Sequence, residues 1–367
     1  MGIIKSTEEE IPEQLIKLIE LINYKPSKDQ IFLKPNIVDS AKLNTGVNVH
    51  PLVVETLYNY FQDQGYKVTI GEGPLNVAAK GFKSILRGAG YKTLSKEVGI
   101  INLNEDTVER VEKDWKYGKL HLPKFVYTHE YINIACMKTH WITTVTLGLK
   151  NQKGLLLAKD KKLFHKKGLH DPIMELNKIC SPDLTIVDAI YCVEGTGPTV
   201  IGGGKTKKMD LLVAGKDIIE VDNVCSNIMG FDVDRIKHIP KVKFDTVGEP
   251  IASIKTEFKA PKNYLDAPIG KTLIRLYVSD SSCTPMGDIM IQAFGKLTMN
   301  QELMQKIGKF QRIDISTGGA EFPEDKADVK ICVGECSRSV AKKYDLIHVK
   351  GCPIDPDDFV KVLNENL

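Results

Sequence analysis

Short apolar runs alternate along this chain with segments of helical periodicity, and that alternation restricts the fold to the α/β layer class. Residues 30–38 predict a strand, residues 50–65 a helix that ends at a glycine, and residues 67–73 the next strand. Residues 114–125 predict a small hairpin inserted before a second series of strands and helices. We therefore expect a Rossmann-like layered α/β domain in this part of the chain.

A stretch rich in proline and charge, residues 242–271, interrupts the alternation and predicts a linker. We assign the Rossmann-like domain to residues 1–241 and a smaller α/β domain to residues 272–367, where strands and helices alternate again. At the start of the chain, residues 1–20 predict a single acidic amphipathic helix. A chain of 367 residues is long enough for both cores.

The charge balance excludes two classes of partner. Fifty basic side chains against 47 acidic ones leave a net charge of +3, which is too little for bulk attraction to nucleic acid or to an anionic membrane surface. No apolar run reaches the ~18 residues that a membrane-spanning helix needs. We therefore expect a cytoplasmic protein that binds neither nucleic acid nor membrane, so any anion site in it must be local.

The eight cysteines fall into two groups. A reducing compartment disfavours disulfides, so each thiol is expected to be buried, catalytic or metal-binding. Four stand singly in apolar surroundings, where a thiol is most often a small buried side chain. These are Cys136, Cys180, Cys192 and Cys225. The other four lie in the last quarter of the chain and are the candidate metal ligands: Cys283, Cys332, Cys336 and Cys352.

The second group of cysteines is placed like a ligand set. Each ends or follows a predicted strand, and ligand sites of open α/β sheets collect at the carboxyl ends of strands. Four thiolates suit an iron–sulfur cluster or a structural zinc, and a single Cys-x-x-x-Cys pair with a Cys-Pro favours the cluster. We expect one 4Fe-4S cluster, with zinc as the less favoured occupant and plain core packing as a further alternative. If Cys283 is not a ligand, one iron is open to substrate.

Basic and amide side chains follow the predicted strands of the N-terminal domain in three groups. Lysines at the ends of apolar strands cost desolvation unless an anion or a carboxylate accompanies them. We therefore expect the groups to bind the carboxylate or phosphate of a substrate; the alternative is that each lysine pairs with a local acid such as Asp188 or Asp222. The residues of the three groups are Lys34, Asn36, Lys138, His140, Lys150, Asn151 and Lys153.

Two loops close to these groups in sequence are further candidates. Residues 194–206 end in Gly-Lys-Thr, but Thr199 stands where a phosphate-binding loop needs glycine, so we expect a covering loop instead. A basic loop holds His165 and His170, and either histidine is a candidate acid or base near neutral pH. A solvated basic loop is the alternative, because histidines five residues apart do not share a helical face.

Five motifs resemble those of one family, in this order: LKPNIV; HPLVVETL with GYKVTIGEGP; CMKTHWITTVTLGLKNQKGLL; PDLTIVDAIYCVEGTGPTVIGG; and LLVAGKDIIEVDNVCSNIMG. Over residues 31–238 they are similar to an iron–sulfur-associated family known as domain of unknown function 362. The resemblance implies no settled reaction. This chain lacks the Cys-x-x-Cys-x-x-Cys motifs that are frequent in the family, so one cluster is expected rather than two. The polar positions that the resemblance marks as characteristic are Lys34, Asn36, Lys138, His140, Lys150, Asn151, Asp188, Asp217 and Asp222.

These expectations combine in one hypothesis about function. We expect an iron–sulfur-dependent oxidoreductase of anaerobic metabolism that reduces a small carboxylate or phosphate substrate, with a ferredoxin-type protein as electron donor. Two alternatives stay open: an electron carrier or cluster scaffold that docks an acidic partner, and a lyase or sulfur transferase with an open iron as Lewis acid. The predicted catalytic residues are His140, Lys138, Lys150, His165 and His170. The predicted substrate-binding residues are Lys34, Asn36, Asn151, Lys153 and Asp188.

Overall fold

The computed structural model of the chain describes residues 1–74, 79–200, 203–262, 264–279, 285–323, 326–352 and 354–367, except for some helix side chains such as that of His165. The chain divides into two compact units. Unit 1 comprises Met1–Lys161 and His170–Pro261, and unit 2 comprises Lys162–Leu169 and Lys262–Leu367.

Unit 1 has mixed α/β structure. Its strands are β1 (Gly2–Lys5), β2 (Gln30–Pro35), β3 (Lys67–Glu72), β4 (Ile101–Asn102), β5 (Arg110–Trp115), β6 (Gly118–Pro123), β7 (Glu130–His140), β8 (Thr144–Thr146), β9 (Leu184–Gly195), β10 (Gly204–Gly215) and β11 (Val247–Gly248). The helices that begin before residue 262 are α1 (Ile11–Leu21), α2 (Pro51–Asp63), α3 (Ala79–Gly88), α4 (Lys92–Glu97), α5 (Phe125–Thr128), α6 (Gly148–Asn151), α7 (Ala158–Lys166), α8 (His170–Ile179), α9 (Ile218–Ile228) and α10 (Ile251–Ile254).

The large sheet of unit 1 is mixed. Its strand order is β11-β1-β10-β9-β7-β2-β3-β4, and β8 pairs with the end of β7. Strands β9, β7, β2, β3 and β4 run parallel, whereas β10 is antiparallel to both β9 and β1. Every residue of β7 is buried, as expected of a central parallel strand covered on both faces. Strands β2 and β7 are parallel with Pro35 opposite Ile134, so β7 continues six residues beyond the end of β2.

The first residues differ from the sequence prediction of one helix over residues 1–20. Residues Gly2–Lys5 form β1, which pairs antiparallel with β10 so that Ile3 lies opposite Val213. The helix begins only at Ile11. The prediction was wrong because the apolar start of the chain is fully buried at Ile3 and pairs with a strand about 200 residues away in sequence. The periodicity of the segment itself does not reveal such a distant partner.

Helices α1 and α2 bury one apolar stripe each in the core. Residues spaced three or four apart on both helices face it, as an amphipathic helix requires. Each fully buried leucine, isoleucine or phenylalanine contributes about 1.5–3 kcal/mol relative to exposure. The helix residues concerned are Ile11, Leu15, Leu18, Val53, Val54, Leu57 and Phe61. The hairpin predicted over residues 114–125 is confirmed as the β5–β6 pair, which begins four residues earlier.

Unit 2 is a smaller α/β unit. Its strands are β12 (Tyr264–Ile269), β13 (Thr272–Val278), β14 (Arg312–Thr317), β15 (Val329–Val333) and β16 (Ile347–Val349), and its further helices are α11 (Pro285–Met299), α12 (Gln301–Ile307), α13 (Arg338–Tyr344) and α14 (Pro356–Asn366). The strands are ordered as numbered; β13 to β16 are parallel and β12 is antiparallel to β13. Residues 242–271, expected as a linker, contain β11 and α10 of unit 1 and β12 of unit 2.

Candidate functional site

The short helix α6 sits at the end of the β7–β8 hairpin and is held there by a buried carboxylate. Asp222 of α9 accepts hydrogen bonds from the backbone amides of Gly148 (2.7 Å) and Leu149 (2.9 Å). Burial raises the pKa of Asp222 to about 7, although the two amides favour its charged form. Asp222 therefore positions α6, and with it Lys150 and Asn151.

Asn151 joins α6 to the parallel strands through all of its side-chain polar atoms. Its Oδ1 accepts from Lys34 Nζ (3.1 Å) and Asn36 Nδ2 (2.9 Å). Its Nδ2 donates to Asn133 Oδ1 (2.8 Å) and to the Ile134 carbonyl (3.0 Å). Each good buried hydrogen bond contributes about 1 kcal/mol, and an unmade one costs more. Asn151 thus organises the predicted site, and its amide is fully used without a ligand.

Lys34 is neutralised within the protein. Its Nζ lies 2.6 Å from Glu72 Oε2, and the two side chains are 0% and 3% exposed. Burial lowers the pKa of Lys34 and the Glu72 carboxylate raises it. Gly154 packs directly on this pair, since a Cβ there would lie 2.1 Å from Glu72 Oε1 and 2.7 Å from Lys34 Nζ. Lys34 therefore has its counter-ion in place.

Lys138 is also buried but has polar partners. Its Nζ donates to Asn36 Oδ1 (2.6 Å) and to the Val47 carbonyl (2.7 Å). Burial is the main reason that its pKa is lowered. Asn36 therefore links Lys138 to the Asn151 network, so that the ends of β2, β7 and α6 form one polar assembly.

Lys150 and His140 are buried among positive charges. Each residue is 8% exposed. Burial, followed by the charges of Lys153 and Lys138, holds the pKa of Lys150 far below its ordinary value. The pKa of His140 is also held far below its ordinary value, by burial first and then by Lys150, Lys153, Lys138 and His238. Among the described residues, the charges that act on these two groups are thus positive, and Lys150 Nζ makes a long hydrogen bond of 3.4 Å to Thr146 Oγ1.

The ring of His140 has a defined tautomer. Its Nδ1 accepts from the amides of Ile142 (3.1 Å) and Thr143 (3.3 Å), so the neutral ring carries its proton on Nε2.

Lys153 follows α6, and burial with the charge of Lys161 lowers its pKa to about 7. We call Lys138, His140, Lys150 and Lys153 the basic group. Because the pKa of Lys153 lies near neutrality, this group offers N–H donors and, at Lys153, a neutral amine.

The acids implied by the family resemblance have structural partners. Asp188 accepts hydrogen bonds from the His50 amide (2.7 Å) and the Ile190 amide (3.0 Å), which orders the start of α2 and the bend in β9. Asp217 caps α9. Asp188, predicted to bind substrate, is thus engaged with backbone amides.

The predicted loop histidines are placed differently from each other. The side chain of His165 lies outside the described residues. His170 begins α8, and its Nδ1 is 3.1 Å from Nδ1 of His238, a residue not selected from the sequence.

The Gly-Lys-Thr sequence that ends residues 194–206 forms the start of β10 rather than a loop. Glu72 was not selected as a site residue from the sequence either. It ends β3, the strand that follows the Lys34 strand β2, and a carboxylate at that position was a usable signal.

The cysteines of unit 2 fit a metal site only in part. Cys336 and Cys352 are exposed, and their loops are adjacent, since the Glu335 amide donates to the Gly351 carbonyl (3.0 Å). Cys332 is 0% exposed and packs with Val340 and Ala341 of α13. Burial raises its pKa to about 12, so its thiol is protonated.

Two of the predicted ligands are thus available for metal and a third lies in the apolar core. Cys283, the fourth, lies outside the described residues. In the part of the chain that the structure describes, no three histidine, cysteine or acidic side chains form a group able to hold a metal ion. The four cysteines expected as core residues are buried as predicted: Cys136, Cys180, Cys192 and Cys225.

A cavity of about 1080 Å³ lies elsewhere in unit 1. It borders the edge strand β4, and its walls include Phe82 and Leu86 of α3, Ile101, and Phe125 of α5. None of the predicted site residues is among those that line it. The candidate site is therefore defined by buried charge and not by this cavity.

Within the described ranges, no helix is both long and apolar enough to cross a membrane.

Comparison with protein families gives a match that covers the whole polar assembly. The profile of the family described as Domain of unknown function (DUF362) matches residues 31–227, which is more than half of the chain. The chain belongs to the DUF362 family. This DUF362 protein is also similar to the thylakoid-associated protein sll1697 of Synechocystis, with 27% identity over 217 residues. The match covers 57% of this chain and 66% of that relative, slightly less than two thirds of its length.

Among solved structures, this DUF362 protein is similar to the lactate racemase apoprotein of Thermoanaerobacterium thermosaccharolyticum. The TM-score is 0.40 and the sequence identity is 10%, over 62% of this chain and 56% of the racemase.

Proposed function

We propose that unit 1 of this DUF362 protein is an enzyme unit that binds a small carboxylate or phosphate at the basic group. One observation carries the proposal: Lys150 and His140 are buried, and among the described residues the titratable side chains that act on them are all bases. Buried charges in proteins are paired, neutralised or coordinated to a ligand. Lys34 is not part of the proposed anion site, because Glu72 already neutralises it.

The position of the basic group supports the same proposal. We take the parallel half of the sheet, β9-β7-β2-β3-β4, to be Rossmann-like in its layering, and ligands of such sheets bind beyond the carboxyl ends of the strands. Lys138 and His140 lie at the carboxyl end of β7, and α6 with Lys150 follows the return strand β8. A bound anion there would favour the ammonium form of Lys138 and would accept a hydrogen bond from Nε2 of His140.

Acid–base chemistry is the reaction type that these residues suit best. Burial and the neighbouring lysines hold the pKa of Lys150 far below its ordinary value, which favours the neutral amine, the form that accepts a proton from substrate. His140 holds its proton on Nε2 and can donate a hydrogen bond from it to a developing oxyanion. We therefore propose that Lys150 contacts the bound substrate and serves as the base, that His140 is the hydrogen-bond donor, and that Lys138 and Lys153 hold the anion.

The binding step is tested by thermal unfolding and calorimetry with inorganic phosphate and a series of small carboxylates. We expect one or more of them to raise the melting temperature of the wild type and to lose that effect in Lys150→Met. The matched control is Lys17→Met, which replaces an exposed lysine of α1. A wild type that no anion stabilises, or a Lys150→Met variant that is stabilised as strongly as the wild type, would contradict the proposal.

An electron-carrier or cluster-scaffold role for unit 2 is the second candidate, and the exposure of Cys336 and Cys352 on adjacent loops favours it. A 4Fe-4S cluster held there would supply electrons for the reductive reaction expected from the sequence. Cys336 and Cys352 would be its ligands, and the packing of Cys332 in the core leaves the ligand set incomplete. No step assigned to Lys150 or His140 depends on a cluster.

Anaerobic purification with iron, sulfide and zinc analysis tests the second candidate. We expect Cys336→Ser and Cys352→Ser to lose iron and sulfide. Cys180→Ala is the control, since Cys180 is a buried cysteine of unit 1. Stoichiometric zinc without iron, or iron content unchanged in both serine variants, would exclude the cluster. Loss of iron in Cys332→Ala would show that Cys332 leaves the core to bind the metal.

A further inference from the structure

The His170–His238 pair is the most unusual polar contact in unit 1. Nδ1 of His170, at the start of α8, lies 3.1 Å from Nδ1 of His238, which follows the short helical turn Val233–Arg235. His238 is 0% exposed. Its second ring nitrogen, Nε2, is buried and has no hydrogen-bond partner among the residues that the structure describes. A buried histidine with one satisfied and one unsatisfied nitrogen requires an explanation.

The contact between the two Nδ1 atoms defines where protons are held. Two ring nitrogens at 3.1 Å form a hydrogen bond only if one of them carries the proton and the other accepts it. In the neutral pair, Nε2 of His238 is either a lone pair without a donor or an N–H without an acceptor. With one added proton, the pair shares a proton between the Nδ1 atoms and His238 also carries a proton on Nε2. An anion oxygen is the group that would satisfy that Nε2–H.

The charges around His238 link it to the basic group. His170 of α8 and Lys150 of α6 are the charged groups that act on it, and both disfavour its protonation, as does burial. His238 in turn disfavours protonation of His140 at the end of β7. Among the described residues, the titratable groups that act on His238 are therefore bases, and the anion proposed beside Lys150 would favour the protonated form that they oppose.

We propose that His238 is a further anion-binding and proton-donating residue of this site, with its Nε2 directed at the bound carboxylate or phosphate and its ring positioned by His170. This inference rests on the proposed function of unit 1. When the anion binds, the pair takes up one proton from solvent: the proton between the two Nδ1 atoms stays in place, and the Nε2 atoms of both rings are then protonated. The Nε2–H of His238 then donates to an anion oxygen. His170 is a positioning residue, because it acts through His238.

Calorimetric titration with inorganic phosphate, in two buffers that differ in ionisation enthalpy, measures the protons taken up per phosphate bound. We expect His238→Gln to bind phosphate about tenfold or more weakly and to take up about one proton fewer than the wild type, because a charge-assisted hydrogen bond and its proton are lost. His170→Phe should bind with intermediate affinity. The matched control is His129→Gln, since His129 is a buried histidine bonded through Nδ1 to Thr128.

A second measurement does not depend on the folding of a variant. The chain has eight histidines, so nitrogen-15 spectra of the labelled wild type resolve individual rings. We expect phosphate to shift the Nε2 signal of His238 from the neutral to the protonated range. An unchanged His238 signal with phosphate bound would overturn the inference.

The two proposals fail in distinguishable ways. Wild-type affinity and proton uptake in His238→Gln, together with lost binding in Lys150→Met, would remove His238 from the site and leave the proposed function intact. A wild type that binds neither phosphate nor any carboxylate would overturn both.

Discussion

Replacing Lys34 or Lys150 by methionine is expected to change stability in opposite directions, although both lysines are buried at the same polar assembly. Lys34 Nζ and Glu72 Oε2 are 2.6 Å apart, which corresponds to an attraction of about 6 kcal/mol at an effective dielectric constant of about 20. Lys34→Met leaves the Glu72 carboxylate buried without its partner. Breaking a buried pair in this way typically costs about 3–5 kcal/mol, and we expect that loss in the free energy of unfolding.

Lys150→Met is expected to stabilise the protein in the absence of ligand. Burial, Lys153 and Lys138 all oppose the ammonium form of Lys150. In the unfolded chain this lysine is a solvated ammonium, so burying it costs free energy that a methionine side chain does not. We expect the free energy of unfolding to rise by about 1–3 kcal/mol. In a unit of this size, each kcal/mol raises the melting temperature by roughly 2–4 °C.

Urea unfolding followed by tryptophan fluorescence measures both effects. The two tryptophans of the chain, Trp115 and Trp141, belong to unit 1, so their emission reports on the unit that contains both lysines. Lys17→Met, on the exposed face of α1, should stay within about 0.5 kcal/mol of the wild type. A Lys150→Met variant as destabilised as Lys34→Met would show that Lys150 has a carboxylate partner of its own, and the assignment of an external anion to it would be wrong.

Three further outcomes are expected. The ligand-free protein should gain stability as the pH rises from about 7 to 10.5. The pKa of Lys153 is lowered from 10.5 to about 7 in the fold, so the unfolded chain binds more protons in that window. Melting temperatures measured against pH check this, and Lys153→Met should flatten the curve. Gly154→Ala should lose about 1–3 kcal/mol by crowding Glu72, as measured by urea unfolding followed by circular dichroism. Gly295→Ala, in an open helical position of unit 2, should be neutral or gain up to about 1 kcal/mol by the same signal. Asp222→Ala should cost about 2 kcal/mol in the same assay and weaken phosphate binding in calorimetry, because two amides of α6 lose their acceptor.

The α/β class was readable from the sequence because buried parallel strands are continuous apolar runs. Residues of β2 and β7 have this character, and β2 was predicted near its observed position by the strand assigned to residues 30–38. The start of the chain was not readable in this way. Gly2–Lys5 lies next to a helical segment in sequence and was merged with it, whereas its partner strand β10 is far away along the chain.

The cysteines illustrate a different limit of sequence reasoning. Cys332 and Cys336 are four residues apart, and the spacing suggested a shared ligand role. In the fold, one is a core residue under α13 and the other is exposed on a loop. Sequence spacing does not distinguish these, because the end of a strand and the loop that follows it differ in burial within a few residues.

The sequence by itself determined which residue types stand at the ends of the central strands: lysines, asparagines and a histidine that no apolar core would retain without a partner. It did not determine which of the lysines already has that partner. Glu72 is 38 residues from Lys34, and only the parallel pairing of β2 with β3 brings their side chains to 2.6 Å. Likewise, only the fold brings His238 to within 3.1 Å of His170, 68 residues earlier. Charge compensation acts through space over a few ångströms, so tertiary structure decided which cations are left for a ligand.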